Sequence, residues 1–270
     1  MNLFDGSSIR MDLFEQLVLE NMVVLYVEDD NVTRAFISKE LKNNITHLYT
    51  AKDGLEALTK FYEYKPNIII TDLVMPDMTG VQLAKELRGK GVNCPIIVTT
   101  SVEDTKSILE LVELGIEKYI IKPIKIEELM DAIVKIGKKY IFFETEKYIN
   151  NRGILLDKDK QKHIEGIFRS LCTNYFKELF GKGPRKVEVI IKGRDIEIKI
   201  IDSLTQIERN LIKYGYDYRM INFNRNFLYN AVKEDLQIKI SELCNMKMTL
   251  TSIDVNTKMN YDKIIFTFES

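Results

Sequence analysis

Four short runs of Ile, Leu and Val mark the first half of the chain, and each stops at a polar group of a different kind. Met22 to Val27 is followed by Glu28-Asp29-Asp30, and Asn67 to Thr71 runs into Asp72. Cys94 to Val98 ends in Thr99-Thr100-Ser101, and Ile116 to Ile121 ends in Lys122-Pro123. Short continuous apolar runs of this kind predict buried strands. Between them the apolar positions change to helical spacing. Val32 to Leu41 sets Phe36, Ile37 and Leu41 on one face, and Gly54 to Tyr62 gives a second helix that ends near Lys65-Pro66. Gly80 to Gly89 gives a third, with Val81, Leu83, Ala84 and Leu87 apolar. Asp104 to Leu114 gives a fourth, with Gly115 as its C-cap, and Ile126 to Ile136 a fifth, with Leu129, Ile133 and Ile136 together. Five strand-then-helix units predict an α/β domain, a doubly wound five-stranded parallel sheet with helices on both sides. Ahead of it, Met11 to Leu19 has the spacing of a helix docked on that domain.

The second half has another rhythm. His163 to Phe180 is a helix pattern with Ile164, Ile167, Phe168, Leu171, Tyr175, Phe176 and Leu179 apolar. Val187 to Ile191 and Ile196 to Ile201 alternate with polar residues around Gly193-Arg194-Asp195, which predicts a hairpin. Thr205-x-x-Glu208 is a capping box for a helix from Gln206 to Tyr214. Asn222 to Leu243 reads as one longer helix, and Met246 to Val255 and Lys263 to Phe268 close the chain as two strands. The expectation is a smaller α+β domain with a mostly antiparallel sheet covered by helices. The fifth helix of the first half runs on toward Tyr148, and Asn150-Asn151-Arg152-Gly153 reads as the turn between the halves. The expected division is a helical extension over 1–20, the α/β domain over 21–140, an extension and linker over 141–157, and the α+β domain over 158–270.

A length of 270 residues suits two domains, and a net charge of −1 gives no global pull toward nucleic acid or anionic membrane. No apolar run approaches the roughly 20 residues of a spanning helix. The first residues lack a basic start and apolar core, so no secretion signal is expected. Cys94, Cys172 and Cys244 show no CxxC spacing and suit reduced core thiols. A cytoplasmic protein is expected.

Parallel strands bring their C-terminal ends to one edge, where open α/β sheets bind ligands. Three carboxylates, Glu28, Asp29 and Asp72, then face Lys122 and the Thr100 hydroxyl. Close like charges require a cation among them. Mg²⁺ suits such a site, because it prefers oxygen donors and takes one or two carboxylates together with phosphate. Glu28 and Asp29 would hold the metal beside Asp72. Asp72 would attack a phosphoryl group and become an aspartyl phosphate. Lys122 would meet the phosphoryl oxygens as a point charge, and Thr100 would donate a hydrogen bond to one of them.

Leu25-Tyr26-Val27-Glu28-Asp29-Asp30, Asp72-x-x-Met75-Pro76-x-x-x-Gly80, Thr100 and Lys122-Pro123 stand in order over residues 22 to 138. This set resembles the response-regulator receiver domain of two-component signalling. The resemblance implies a flavodoxin-like strand order 2-1-3-4-5, a sensor histidine kinase as partner, and switching through Thr100 and Tyr119, the latter three residues before Lys122. It also implies that the residues two after Asp72 and Thr100, here Val74 and Val102, govern access of hydrolytic water. Both are apolar, so a long-lived phosphoryl group is expected.

Tyr175 to Pro184, with Phe180-Gly181-Lys182-Gly183-Pro184 its most specific piece, the following hairpin, Leu204 to Leu211 and a final Asp254-containing strand pair are similar to the MpsC-like family. That family is described in connection with a Na⁺-translocating system, yet this half has no spanning segment, so transport is not carried over. No catalytic signature appears in it: His163 is its lone histidine, and Gly181-Lys182-Gly183-Pro184 lacks the spacing of a phosphate loop. The expected whole is a response regulator, not an enzyme in its own right. Its output domain binds an unidentified protein, with a homodimer as one arrangement. A DNA-binding regulator is the alternative, on the strength of Lys182, Arg185, Lys186, Lys192, Arg194 and Lys199 around the hairpin.

Overall fold

The computed structural model describes residues 13–101, 113–150 and 158–269. The chain divides into two compact units between Tyr140 and Ile141.

In the first unit, β1 (Val23–Val27), β2 (His47–Ala51), β3 (Ile68–Asp72), β4 (Ile96–Thr100) and β5 (Lys118–Ile121) form a parallel sheet in the order β2-β1-β3-β4-β5. Every residue of β3 and β4 is buried, as a strand covered on both faces requires. The register pairs Val27 with Thr71, Asp72 with Thr99, and Thr100 with Ile121, so the C-terminal ends of four strands finish in line. Edge strand β2 buries only Ala51, which explains why no continuous apolar run announces it.

The helices start where short polar side chains close their first turn. Asp30 accepts from the Thr33 N–H before α2 (Asn31–Lys42), and Asp53 accepts from the Glu56 N–H before α3 (Gly54–Tyr64). Thr79 and Gln82 form a reciprocal capping box at α4 (Gly80–Gly89). α5 runs from Ile126 to Asn150 without a break. Of the helix expected over Asp104 to Leu114, residues 104–112 lie outside the described residues, although Gly115 has the positive φ of 65° expected of its C-cap. One helix face was misread: Ile37 and Leu41 are buried, but Phe36 is 58% exposed. Phe36 stands four residues after Val32, and the two share the outward face of α2.

The N-terminal helix α1 (Leu13–Asn21) docks on the first unit. Leu17, Val18 and Leu19 are fully buried, and Glu15 pairs with Lys138 at 3.1 Å. Gly137 of α5 lets Val18 approach: a Cβ there would stand 2.4 Å from Val18 Cγ1.

In the second unit, β6 (Lys186–Lys192), β7 (Asp195–Ile201), β8 (Met248–Asn256) and β9 (Tyr261–Phe268) form an antiparallel sheet in the order β6-β7-β9-β8. Period-two alternation buries Val187, Val189, Ile196, Ile198 and Ile200 on one face. The described helices are α6 (Lys158–Phe180), α7 (Gln206–Lys213), α8 (Tyr218–Ala231) and α9 (Lys233–Cys244). The helix expected to run unbroken from Asn222 to Leu243 is thus two helices, divided at Val232 (φ −101°, ψ 7°). Both pack on β8, whose pairing with β9 slips between Leu250 and Ser252. A bulged strand bends, and two short helices can follow it where one straight rod cannot. Among the described residues, no helix is long and apolar enough to cross a membrane.

Candidate functional site

The sheet of the first unit brings together the residues singled out in its sequence. Glu28 follows β1, and its N–H donates to Ala51 O at 3.1 Å. Asp72 is the last residue of β3 and Thr100 the last of β4. Lys122 follows β5, held by its N–H donating to Thr100 O at 2.8 Å. The Lys122 ammonium reaches across these strand ends. It donates to Asp72 Oδ2 at 2.5 Å and to the Glu28 Oε1 and Oε2 atoms at 3.0 and 2.9 Å. Asp72 Oδ1 accepts from the Val74 N–H at 3.3 Å. Carboxylate oxygens of Glu28, Asp29 and Asp72 lie within 4.8 Å of one another.

The electrostatics follow from depth. Glu28 is buried, Asp29 is exposed, and Asp72 is 7% exposed. Burial raises the Glu28 pKa, against the opposing pull of Lys122. Burial alone would lower Lys122, but its hydrogen bonds to Asp72 and Glu28 outweigh that and raise it. The ammonium therefore stays protonated as the resident counter-charge. Tyr26 lies fully buried beneath and donates to Glu28 Oε2 at 3.2 Å. The donor set is all oxygen, negatively charged and open on the Asp29 side, which fits a hard divalent cation.

Gly80 determines the shape of the loop after Asp72. Its N–H donates to Leu73 O at 3.0 Å, and a Cβ on it would stand 2.2 Å from the Asp72 carbonyl oxygen. Thr100 is buried next to the cluster, and Tyr119, on β5, is 47% exposed. Val74 is exposed, whereas Val102 lies outside the described residues.

The second unit holds a polar cluster that sequence reasoning missed. Arg225 on α8 is buried and donates to Asp262 Oδ2, to Ser203 Oγ at 2.7 Å and to Ser203 O at 2.8 Å. Its Nε and Nη2 bond Glu208 Oε1 and Oε2 at 2.7 and 2.8 Å, a bidentate pair. The Tyr229 hydroxyl donates to Asp262 Oδ2 at 2.8 Å, and the guanidinium lies 4.8 Å from the centre of the Phe180 ring. Only Glu208 had a sequence signal, as the capping-box residue, and it does serve that cap by accepting from the Thr205 N–H at 2.6 Å. The cluster is sealed, with Asp262 fully buried, so its geometry is that of a structural tie.

The basic residues of the hairpin are met locally. Lys186 pairs with Glu188 at 2.6 Å, Lys192 with Glu197 at 4.0 Å, and Arg185 with Asp202 at 3.9 Å. Arg194 and Lys199 lie over the rings of Phe268 and Tyr261. Cys94, Cys172 and Cys244 are free thiols, and burial pushes Cys94 and Cys172 each up to about 12.

Comparison with known proteins matches each unit to a family. Residues 24–134 match the response regulator receiver domain. Residues 160–270 match the family described as Na⁺-translocating membrane potential-generating system (MpsC). The chain is 25% identical over 213 residues to the probable C4-dicarboxylate response regulator DctR of Halalkalibacterium halodurans, covering 71% of this chain and 90% of that protein. It is 29% identical over 132 residues to the response regulator protein VraR of Staphylococcus aureus, covering 48% of this chain and 63% of VraR. Among solved structures, the N-terminal domain of a Wolinella succinogenes protein matches at 28% identity and a TM-score of 0.43, covering 44% of this chain and 97% of that one. A Francisella response regulator receiver domain matches at 31% identity and a TM-score of 0.42, with 44% and 98% covered. The chain thus joins a response regulator receiver domain, over residues 24–134, to an MpsC domain, over residues 160–270.

Proposed function

We propose that Asp72 accepts a phosphoryl group from a sensor histidine kinase and that the C-terminal domain passes the signal on by binding protein. The observation that carries this reading is the Lys122 ammonium, held 2.5 Å from Asp72 Oδ2 among carboxylates at the ends of the sheet. A carboxylate oxygen of Asp72 attacks phosphorus as the bond to the donor breaks, and the leaving group keeps that electron pair. Lys122, still protonated, turns from the carboxylates to the phosphoryl oxygens. The Thr100 hydroxyl donates to one of those oxygens, and Tyr119 reorients with it. Glu28 and Asp29, with Asp72, are the residues that would hold Mg²⁺. When bound, the ion supplies neutralisation of the charge that gathers on the phosphoryl group. The phosphoryl group ends on the protein's own side chain, so the chain is a signalling protein and not an enzyme acting on other substrates. A cytoplasmic location goes with this reading, since a kinase must reach Asp72.

Protein binding is preferred to DNA binding for the output because five of the six basic side chains around the hairpin, Arg185, Lys186, Lys192, Arg194 and Lys199, have neighbouring carboxylates or rings as partners. The test is incubation with acetyl phosphate, with and without Mg²⁺, followed by intact-mass spectrometry. A Mg²⁺-dependent single phosphoryl adduct that vanishes in Asp72→Ala is expected. An adduct that persists in that variant would sink the assignment.

A further inference from the structure

One hydroxyl group reaches the acidic site from the core of the first unit. Tyr26 lies in β1, paired with Thr50 of β2 on one side and Ile70 of β3 on the other, and is fully buried. Side chains along a strand alternate between its faces, so Tyr26 and Glu28, two residues apart, share one. A phenol is protonated at neutral pH, and toward a carboxylate it acts as donor. Tyr26 donates to Glu28 Oε2 at 3.2 Å.

The three carboxylates of the site are held in different ways. Asp72 Oδ1 accepts from the Val74 N–H, and Asp29 is exposed to water. Glu28 has neither support. It is 1% exposed, and among the described residues its carboxylate accepts three hydrogen bonds, two from Lys122 and one from Tyr26. Its main chain is fixed separately, because Arg34 Nη1 donates to Glu28 O at 2.5 Å and to Asp29 O at 3.1 Å. What remains to be positioned is the side chain. In the proposed transfer Lys122 turns to the phosphoryl oxygens, and Glu28 then keeps a single donor. A buried carboxylate stripped of its donors is costly, and little water reaches one so deep. The Tyr26 hydroxyl bonds Glu28 and not the acceptor Asp72, so its hold persists through the transfer.

We propose that Tyr26 is a positioning residue for the metal site: its hydroxyl pins Glu28 through Oε2 and leaves Oε1 for the divalent cation. This rests on the reading of Glu28, Asp29 and Asp72 as the residues that hold Mg²⁺. A hydrogen-bond donor behind a metal ligand fixes its orientation, and its loss costs about ten- to a hundredfold in metal affinity. Tyr26→Phe keeps the ring and every charge, so it isolates the hydroxyl.

Titration of the unphosphorylated full chain with Mg²⁺, followed by amide NMR shifts, tests it. Tyr26→Phe should raise the Mg²⁺ dissociation constant by about tenfold, while its melting temperature without Mg²⁺ stays near that of wild type. Glu28→Asp retains a carboxylate but draws it back by one methylene, out of reach of the phenol. In that background Tyr26→Phe should add no further loss, as a double-mutant cycle requires of a residue acting through another. An equal dissociation constant in Tyr26→Phe and wild type overturns the proposal. So does an undiminished effect of Tyr26→Phe in the Glu28→Asp chain, which would put its action elsewhere than on Glu28. A wild type that binds no Mg²⁺ overturns it together with the metal assignment. Mg²⁺ binding that depends on Tyr26 in a chain that gains no acetyl phosphate adduct would strike only the phosphorylation reading and leave the role of Tyr26 standing.

Discussion

Gly80→Ala is a sharp test of the acceptor geometry because it perturbs Asp72 without touching any charged group. The added Cβ would lie 2.2 Å from the Asp72 carbonyl oxygen and 3.2 Å from both Asp72 C and Thr71 Cγ2. Carbon and carbonyl oxygen ordinarily approach no closer than about 3.3 Å. Something must therefore yield by roughly 1 Å, and the obstructing atom is backbone, tied into the sheet by the Leu73 N–H donating to Thr99 O at 2.8 Å. Overpacking of this kind costs about 1–3 kcal/mol of stability. The functional loss should be larger, because a misplacement near 1 Å at a reacting atom costs on the order of a hundredfold in rate. The assay is the initial rate of acetyl phosphate labelling, followed by phosphate-affinity gel, with urea unfolding of the same sample. A folded Gly80→Ala protein with much slower labelling is expected. Labelling at the wild-type rate would refute the claim that this approach fixes the acceptor.

Other expectations follow from the same geometry. Lys122→Met removes the ammonium that bridges Asp72 and Glu28, so phosphoryl uptake should be abolished while the adduct-free protein stays folded. The exposed apolar Val74 offers nothing to orient water, so the phosphoryl group should outlast seconds in purified protein with Mg²⁺, measured by mass spectrometry against time; decay within seconds would contradict this. Arg225→Leu leaves Glu208 and buried Asp262 without their cation and should destabilise the second unit by about 3–5 kcal/mol, read from its denaturation midpoint. Burial raises the Glu208 pKa, but Arg225 outweighs that and holds it below the ordinary carboxylate value. Its stabilisation is therefore present above that value and lost as pH falls through the lower folded-state one. Melting curves from neutral to acid pH should show a shallower acid loss in Glu208→Gln.

How much was legible in the sequence depended on how local each cause is. Strands β1, β3, β4 and β5 could be read because each has an apolar run with a polar stop. β2 could not, since only Ala51 of it is buried and its other positions are polar or half-exposed. The acidic site was readable because parallel strands bring their ends together, so sequence order alone places Glu28, Asp29, Asp72, Thr100 and Lys122 at one edge. Phe36 was misplaced because helical spacing admits two adjacent faces and aromatic character does not choose between them. The break at Val232 was hidden because no Gly or Pro marks it. The Arg225 cluster was invisible for a different reason. Its partners lie 17 and 37 residues away, and only the folded sheet unites them.

The N-terminal helix has a practical corollary. Residues 17–19 are sealed from solvent, yet they precede the 24–134 span that matches the receiver family. A fragment begun at residue 24 that keeps α5 would lay bare the groove around Gly137 that Val18 fills. Such a piece should turn sticky, and clumping seen with it would report the cut, not the signal.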